Sequence, residues 1–277
     1  MALNNISLTS GMRANLYSLQ LTDTLLQRTQ NRLSTGKRVN SALDDPIAYF
    51  ASQGHMQRSA DLTARKDEMS EAVQLVNAAD AGIESITTLI ENAKSLAQSA
   101  LSESSTSTVA TLETQFDEIR TQIDNMANDS SYKGINLLHG AGDNTLEVKF
   151  DEDGESKLTL TGFTGTTTGL SISSAADWAG ATVDTDKIDA SITELDNAMT
   201  TLRTQSKGLA SNLNIITARQ DFTSNMINTL EDGAANLTLA DMNEEGANML
   251  MLQTRQALGT TSLSLASQAA QSVLRLF

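Results

Sequence analysis

The chain has 277 residues with 19 basic and 34 acidic side chains, so its formal net charge is −15 at pH 7. This acidity argues against nucleic-acid binding, because affinity for nucleic acid depends on neutralising phosphates with Lys and Arg. The absence of cysteine excludes a disulfide scaffold, a thiolate metal site and a cysteine nucleophile. No run of about 18 apolar residues occurs, so we predict no membrane-spanning helix. Residues 1–20 lack the basic and apolar regions of a conventional secretion signal.

Charge is distributed unevenly along the chain. Residues 1–45 and 235–277 together hold seven basic and six acidic residues, so nearly all of the excess negative charge lies between them. Near-neutral ends and an acidic middle suggest that the ends are buried and the middle faces water. With 4% aromatic residues and a single proline, Pro46, the composition favours long helices over a β-sandwich or barrel.

The first predicted helix begins near Met12. The side of a helix that packs against another helix is called its seam here. Apolar residues, with two polar ones among them, recur at alternating steps of four and three that suit a seam, at Met12, Leu16, Leu19, Asp23, Leu26, Gln30 and Leu33. Gly36 follows as a suitable helix end. Asp44 and Asp45 then precede Pro46, which predicts an aspartate-capped helix that starts at the proline.

Four further helices follow from the same kind of periodicity. The second is predicted over 46–101, with apolar residues at steps of seven at Met69, Val76, Ile83, Ile90 and Ala97. The third and fourth carry seams over 109–126 and 188–216, and a fifth is predicted over 238–276. The apolar positions of the fifth include Met251, Leu258, Leu265 and Val273.

Such sustained seams predict long, coiled-coil-like helical rods that must be packed against other helices. Helices two, three and four can bury their seams against one another within the chain. Helices one and five lie at opposite ends of the sequence, so they must pair with each other or with other molecules.

Residues 130–185 form a different kind of segment, which holds eight of the sixteen glycines. Apolar residues alternate from Leu146 to Phe150 and again at Leu158 and Leu160, on either side of the polar run 151–156. This pattern predicts a β-hairpin. The remainder, including the lone Trp178, is predicted to be a small insertion of sheet and loops.

No pattern for catalysis or metal binding emerges, and we predict a protein that is not an enzyme and needs no cofactor. His55 and His139 match no metal-binding spacing. The acidic run 151–155 lacks the alternating ligands of a calcium loop, and a solvated hairpin turn explains it better. Helix capping explains at least one of the paired carboxylates Asp44 and Asp45.

Several motifs resemble bacterial flagellin, in the order in which that family carries them. Residues 31–42, N-R-L-S-T-G-K-R-V-N-S-A, closed by D-D-P at 44–46, are similar to the flagellin signature after the first helix. The opening A-L-N-N-I at 2–6 resembles the flagellin start, and Y-K-G-I-N-L-L at 132–138 resembles the family's F-N-G-x-x-L-L turn. Residues 263–277 also look like the flagellin C-terminus.

The resemblance implies a mainly α protein that polymerises into the flagellar filament. In that family the termini, here 1–40 and 238–277, form an inner coiled-coil layer. The helical domain, here 41–129 and 186–237, forms the next layer. Residues 130–185 are a short insertion that faces outward and is either part of that helical domain or a minimal outer domain. Export through the flagellar type III channel, without a cleaved signal peptide, would place the protein outside the cell in the filament.

The resemblance also assigns roles to residues. The polymerisation interface would comprise the terminal-helix residues Leu16, Leu19, Leu26, Leu33, Leu258, Leu265, Val273, Leu274, Leu276 and Phe277. The connector between layers would include Gly36, Lys37, Arg38, Asp44, Asp45 and Pro46. The implied partners are other copies of the chain, an export chaperone, the filament cap, hook-junction proteins and sister flagellins, with neither nucleic acid nor membrane among them.

Many flagellins carry a receptor-recognition stretch, L-Q-R-x-x-E-L, on the second helix. Aligned on Leu96, the corresponding residues here are Ile90, Glu91, Asn92 and Ser95, and the Arg and Glu of the pattern are absent. This departure predicts impaired recognition by the innate Toll-like receptor.

Three other functions remain open from the sequence. A hook–filament junction protein would share flagellin-like termini and a similar length. An extracellular binding module with a helical stalk would also show long heptads, but it would usually carry an export signal or anchor. An enzyme hidden in residues 130–185 would need a catalytic constellation, which the sequence there does not show.

Overall fold

The computed structural model describes residues 10–140 and 144–274, with side chains described as far as residue 272. These residues form five helices and one two-stranded sheet, which confirms the predicted mainly α fold with a β-hairpin. The elements are α1 (Ser10–Thr35), α2 (Pro46–Ser102), α3 (Thr106–Asp129), β1 (Thr145–Lys149), β2 (Lys157–Thr161), α4 (Thr185–Thr238) and α5 (Met242–Leu274). In this part of the chain, none of the helices has a stretch long and apolar enough to cross a membrane.

The described chain divides into two compact units, whose boundaries fall inside α2 and α4. The terminal unit comprises the described residues up to Gln57 and from Thr229 onward. The central unit comprises residues 58–228.

Helix α4 is longer than the predicted seam over 188–216, because its repeat continues through a polar residue. Buried side chains recur at steps of seven along the whole helix, at Ile188, Leu195, Leu202, Leu209, Ile216, Thr223 and Leu230. Thr223 occupies a buried position in this series, so an apolar pattern read from the sequence stops at Ile216, two heptads before the last buried position at Leu230.

The core of the central unit lies between α2, α3, α4 and the segment 130–185. The predicted heptad positions of α2 from Met69 to Ala97 are all buried in it. Trp178 is also buried there, with its ring centroid 4.8 Å from that of Phe116. Its indole Nε1 donates a hydrogen bond to Ser191 Oγ at 3.3 Å. The segment predicted to be an insertion therefore supplies a central part of the core.

The β-hairpin has the predicted alternation. The strands β1 and β2 pair antiparallel, with Leu146 opposite Leu160 and Val148 opposite Leu158. Val148 and Leu160 are buried, whereas Leu146 and Leu158 are partly buried against the same core. Each strand thus turns its apolar face inward and its polar face to solvent.

The motif at 132–138 forms a tight turn that is tied to α2. Lys133 and Gly134 both have positive φ, and Tyr132 and Ile135 exchange two backbone hydrogen bonds across them. Glu71 Oε2 accepts a hydrogen bond from Tyr132 Oη at 2.9 Å and forms an ion pair with Lys133 Nζ at 2.8 Å. These bonds lower the pKa of Glu71 and raise the pKa of Tyr132.

Candidate assembly interface

Helices α1 and α5 pack against each other in the terminal unit. Two polar contacts define their orientation. Asn15 Nδ2 donates a hydrogen bond to the carbonyl of Gly259 at 3.3 Å, and Arg32 Nη1 lies 2.7 Å from Glu245 Oε1. The earlier residue of α1, Asn15, contacts the later residue of α5, and Arg32 contacts the earlier one, so the two helices are antiparallel.

The inward face of α1 differs in part from the predicted seam. Leu26 is buried, and Leu19 and Leu33 are partly buried, as a seam requires. Between them the structure buries Thr22 and Thr29, whereas the predicted positions Leu16, Asp23 and Gln30 are exposed. These three residues therefore lie outside the face that α1 buries within the subunit, and burial of Leu16 by neighbouring molecules stays a prediction.

Local hydrogen bonding explains how a threonine can take a buried seam position. The Thr22 hydroxyl donates to the carbonyl of Ser18, one helical turn earlier, at 2.8 Å. A polar side chain whose donor is satisfied in this way can be buried at little cost. The more hydrophobic Leu16 is left partly exposed on the outer side of the helix.

The inward face of α5 also differs from the apolar series in the sequence. Leu252 and Glu245 are buried, whereas Met251, Leu258 and Leu265 are exposed. Leu258 and Leu265 keep 66% and 61% of their surface accessible. Helix α5 therefore packs against α1 through one face and presents a second, apolar face that nothing in the described chain covers.

Four residues of the predicted interface cannot be placed fully. The side chains of Val273 and Leu274, and all of Leu276 and Phe277, lie outside the described part of the structure. The polymerisation role of the terminal-helix residues as a set stays a prediction.

The pair Arg32 and Glu245 is the best-buried ion pair of the described residues. Only 18% of the Arg32 side chain and 8% of the Glu245 side chain remain accessible. Glu245 also lies in the first turn of α5, where a carboxylate interacts favourably with the helix dipole. Sequence periodicity assigned neither residue to the interface, because the pair joins positions 213 residues apart.

Gly259 allows α1 to approach α5 closely. A Cβ atom at this position would lie 2.5 Å from Leu19 Cδ2 and 3.0 Å from Leu19 Cγ. The methyl group of an alanine here would therefore force the Leu19 side chain to move. Gly246, in the same helix, has open space around it. The two glycines therefore form a matched pair for testing the packing.

We expect Gly259→Ala and Gly246→Ala to have opposite effects on the terminal unit. Alanine is favoured over glycine in a helix by about 1 kcal/mol, so Gly246→Ala should stabilise it. Gly259→Ala should lose that gain to overpacking, which costs about 1–3 kcal/mol. Amide hydrogen exchange along α1 and α5 would measure both effects. Equal protection in the two variants would contradict the close approach at Gly259.

The predicted connector begins where α1 ends at Gly36. This glycine has a φ of +68° and its N–H donates to the carbonyl of Arg32, so it has the left-handed conformation common at helix ends. Its carbonyl accepts a hydrogen bond from Ala240. Lys37 forms a β-bridge with Leu239, and the N–H of Arg38 donates to the carbonyl of Thr238 at 2.7 Å. The connector is thus paired with the chain that joins α4 to α5.

The two aspartates of the connector have separate structural roles. Asp45 Oδ1 accepts a hydrogen bond from the N–H of Ala48, which caps α2 at its first residue, Pro46. Asp44 Oδ2 accepts hydrogen bonds from the N–H groups of Asn40 and Ser41 at 3.1 and 3.0 Å. The interpretation of the pair as caps is confirmed for Asp45, and Asp44 closes the preceding loop.

We expect the contribution of Asp44 to stability to depend on pH. The N–H groups of Asn40 and Ser41 hold the pKa of Asp44 below its ordinary value of 3.8. A carboxylate with a lowered pKa stabilises the folded state above its ordinary pKa, and this stabilisation is lost as the pH falls through the lowered value. Asp44→Asn should therefore destabilise the protein at neutral pH and lose this effect between about pH 5 and about pH 2.

Chemical denaturation at a series of pH values would measure the difference between Asp44→Asn and the unsubstituted chain. Asp153→Asn is the control, because Asp153 is an exposed residue of the hairpin turn. A destabilisation by Asp44→Asn that stayed constant down to about pH 2 would contradict this role.

The receptor-recognition-like stretch lies on α2, in the central unit. Ile90 is fully buried in the core, so its side chain offers no surface. Glu91, Asn92 and Ser95 are exposed and Leu96 is partly buried.

No group of three potential metal-binding side chains comes together in the described residues. His139 Nδ1 lies 2.7 Å from Asn128 Oδ1, next to the turn at 132–135. His55 lies on α2 near Gly233, whose added Cβ would be 3.9 Å from the imidazole. Within residues 10–140 and 144–274, neither histidine belongs to a group of three potential metal ligands.

Comparison with known proteins shows the family. Residues 4–143 match the bacterial flagellin N-terminal helical region, and residues 185–277 match the bacterial flagellin C-terminal helical region. Flagellin FljM of Caulobacter vibrioides is 31% identical over the full length of both chains. A flagellin of Brucella melitensis is 28% identical over 95% of each chain.

A solved structure has a similar fold. It is that of a proposed flagellar hook-associated protein from Vibrio parahaemolyticus, with a TM-score of 0.61 and 11% identity. The similarity covers 71% of this chain and 100% of that one. This likeness concerns the fold, whereas the two matched helical regions and the relative that is 31% identical over its full length show the family. The chain belongs to the bacterial flagellin family and is a structural subunit of the flagellar filament.

Proposed function

We propose that this subunit polymerises with other copies of itself through its terminal helices. The exposed apolar face of α5, which carries Leu258 and Leu265, supports this proposal most directly. Apolar surface of this kind usually marks a site of association. Burying one such side chain contributes about 1.5–3 kcal/mol, so several together can offset the cost of ordering the helices.

We further propose that α1 and α5 become fully ordered only on assembly. Their shared seam includes polar residues such as Asn15, Thr22 and Thr29, so packing between the two helices gives limited stability. Neighbouring copies would add the missing apolar contacts. Amide exchange should show clearly weaker protection of both helices in the monomer than in the filament, and equal protection in the two states would contradict this.

The layered arrangement of the family supports a corresponding division of this chain. Residues 1–40 and 238–277 would form the inner layer, and residues 41–129 and 186–237 the next. Residues 130–185 would lie toward the outside. In a helical filament the same two surfaces meet at every head-to-tail contact, so the contact propagates and does not close.

The export route and the partners follow from the same proposal. The subunit would leave the cell through the flagellar type III pathway with an export chaperone. It would assemble beneath the filament cap onto hook-junction proteins, together with any sister flagellins. Recognition by the innate Toll-like receptor would be impaired, because Ile90 is buried and the pattern's Arg and Glu are absent. Full stimulation of reporter cells would contradict this last point.

Electron microscopy of the purified chain under precipitant-induced assembly tests the function. The full chain should form long helical filaments, and a chain lacking residues 1–40 and 240–277 should form none. Circular dichroism would show whether the shortened chain keeps its helices, so that loss of folding is not mistaken for loss of assembly. A full chain that stays monomeric or forms only short capped objects would favour a junction protein or a binding module.

A further inference from the structure

A second apolar surface of the terminal unit lies at the start of α2, outside the terminal helices. Leu43, Ile47 and Phe50 keep 97%, 83% and 65% of their surface accessible. Leu43 lies in the turn before α2, and Ile47 and Phe50 share one helix face because they are three residues apart. Gly54 continues this face, and a Cβ there would meet nothing within 4 Å. We call Leu43, Ile47 and Phe50 the α2 patch.

Local structure does not account for this exposure. Pro46, Asp44 and Asp45 already start and cap the helix through backbone contacts, and the α2 patch takes no part in them. Ile47 and Phe50 lie side by side on one exposed helix face, with Leu43 exposed in the turn just before it, which distinguishes them from single exposed hydrophobic residues. We therefore expect a partner surface to cover the α2 patch.

The exposed face of α5 matches this patch in apolar character and is complementary to it in charge. Met251, Arg255 and Leu258 are separated by steps of four and three, so they lie on one face of the helix. Arg255 is exposed and forms no ion pair with the described residues. Beside the α2 patch, Asp44 is an exposed carboxylate. An apolar stripe with a central cation thus matches an apolar patch with an anion at its edge.

We propose that the α2 patch of one copy packs against the Met251–Leu258 face of α5 in the next copy. This inference rests on the proposed function, because it names the contact by which copies associate. A contact between two different surfaces is heterologous, so it extends into a filament and does not stop at a dimer. Arg255 would then lie next to Asp44 of the neighbouring copy.

Disulfide cross-linking tests this contact without competing disulfides from native thiols, because the chain contains no cysteine. One chain carries Ile47→Cys and another carries Leu258→Cys. The two are mixed, polymerised together with an excess of unsubstituted chain, oxidised and separated on a non-reducing gel. Since each chain has a single thiol, a dimer reports contact between two copies. The mixture should give far more dimer than either variant alone.

A matched pair of cysteines gives the control. Phe222→Cys mixed with Leu258→Cys should give no excess dimer, because Phe222 is exposed on α4 in the central unit, outside both surfaces. Filaments without excess dimer from the Ile47→Cys and Leu258→Cys mixture would overturn the inference and leave the proposed function standing. Absence of filaments from the unsubstituted chain would overturn the proposed function itself.

A second measurement does not depend on cysteine geometry. Phe50→Ser and Phe222→Ser each remove one exposed phenylalanine from a helix. Phe50→Ser should raise the critical concentration for polymerisation by roughly tenfold or more, the expected result of losing one well-buried apolar contact per added subunit. Phe222→Ser should leave it nearly unchanged. Equal critical concentrations for the two variants would overturn the inference.

Discussion

Replacing Trp178 with alanine should lower the free energy of unfolding by about 3–5 kcal/mol, the usual cost of removing a large buried aromatic side chain. Trp178 is almost fully buried and packs on Phe116 with ring centroids 4.8 Å apart. The substitution also leaves the Ser191 hydroxyl without the indole N–H that donates to it. Because many domains are stable by only about 5–15 kcal/mol, the central unit should unfold at much lower denaturant.

Urea unfolding followed by far-UV circular dichroism would measure this loss, since the variant has no tryptophan left for fluorescence. Phe222→Ala is the control, because Phe222 is largely exposed and surface substitutions usually change stability by less than about 0.5 kcal/mol. A loss below about 1 kcal/mol for Trp178→Ala would show that segment 130–185 contributes little to the core.

Replacing Arg32 with methionine should have the second-largest effect, in the terminal unit. Glu245 would remain buried without its cation, and breaking a buried pair in this way costs about 3–5 kcal/mol. We expect the low end of this range, about 3 kcal/mol, because 18% of the Arg32 side chain is still accessible. Helices α1 and α5 should lose protection against amide exchange, and filaments should form more slowly or not at all.

A double substitution separates the ion pair from simple loss of charge. Arg32→Met combined with Glu245→Met leaves no unpaired buried charge, so it should recover much of the lost stability. Arg13→Met is the matched control, because Arg13 is exposed on the same helix. If Arg32→Met and Arg13→Met had equal effects on amide exchange and on assembly, the ion pair between Arg32 and Glu245 would not orient the terminal helices.

The helical fold follows from patterns that lie within single stretches of sequence. The heptads of α2 and α4, the Asp-Pro start of α2 and the alternation of β1 and β2 each depend on neighbouring residues. A repeat of seven places apolar side chains on one helix face wherever the helix lies. The resemblance to flagellin identified the family, because motifs similar to those of flagellins occur along this chain in the same order.

The faces of the terminal helices required the tertiary structure. From the sequence, Leu16 belongs to the apolar series of α1, and Met251, Leu258 and Leu265 belong to the apolar series of α5, but the series do not tell which face turns inward within one copy. In the structure Thr22 and Thr29 are buried on α1, and Leu252 is buried on α5. A helix with apolar residues on more than one face can turn any of them inward, and the choice depends on its partner.

Single-residue contacts between distant parts of the chain also depended on the fold. The sequence itself determined the five helices, the glycine end of α1, the aspartate cap of α2, the hairpin and the family, because these depend on local spacing and on motifs. Only the tertiary structure decided that Gly259 meets Leu19, that Arg32 pairs with Glu245 and that Trp178 lies against Phe116. Each of these contacts joins residues far apart in sequence, so no local periodicity records them.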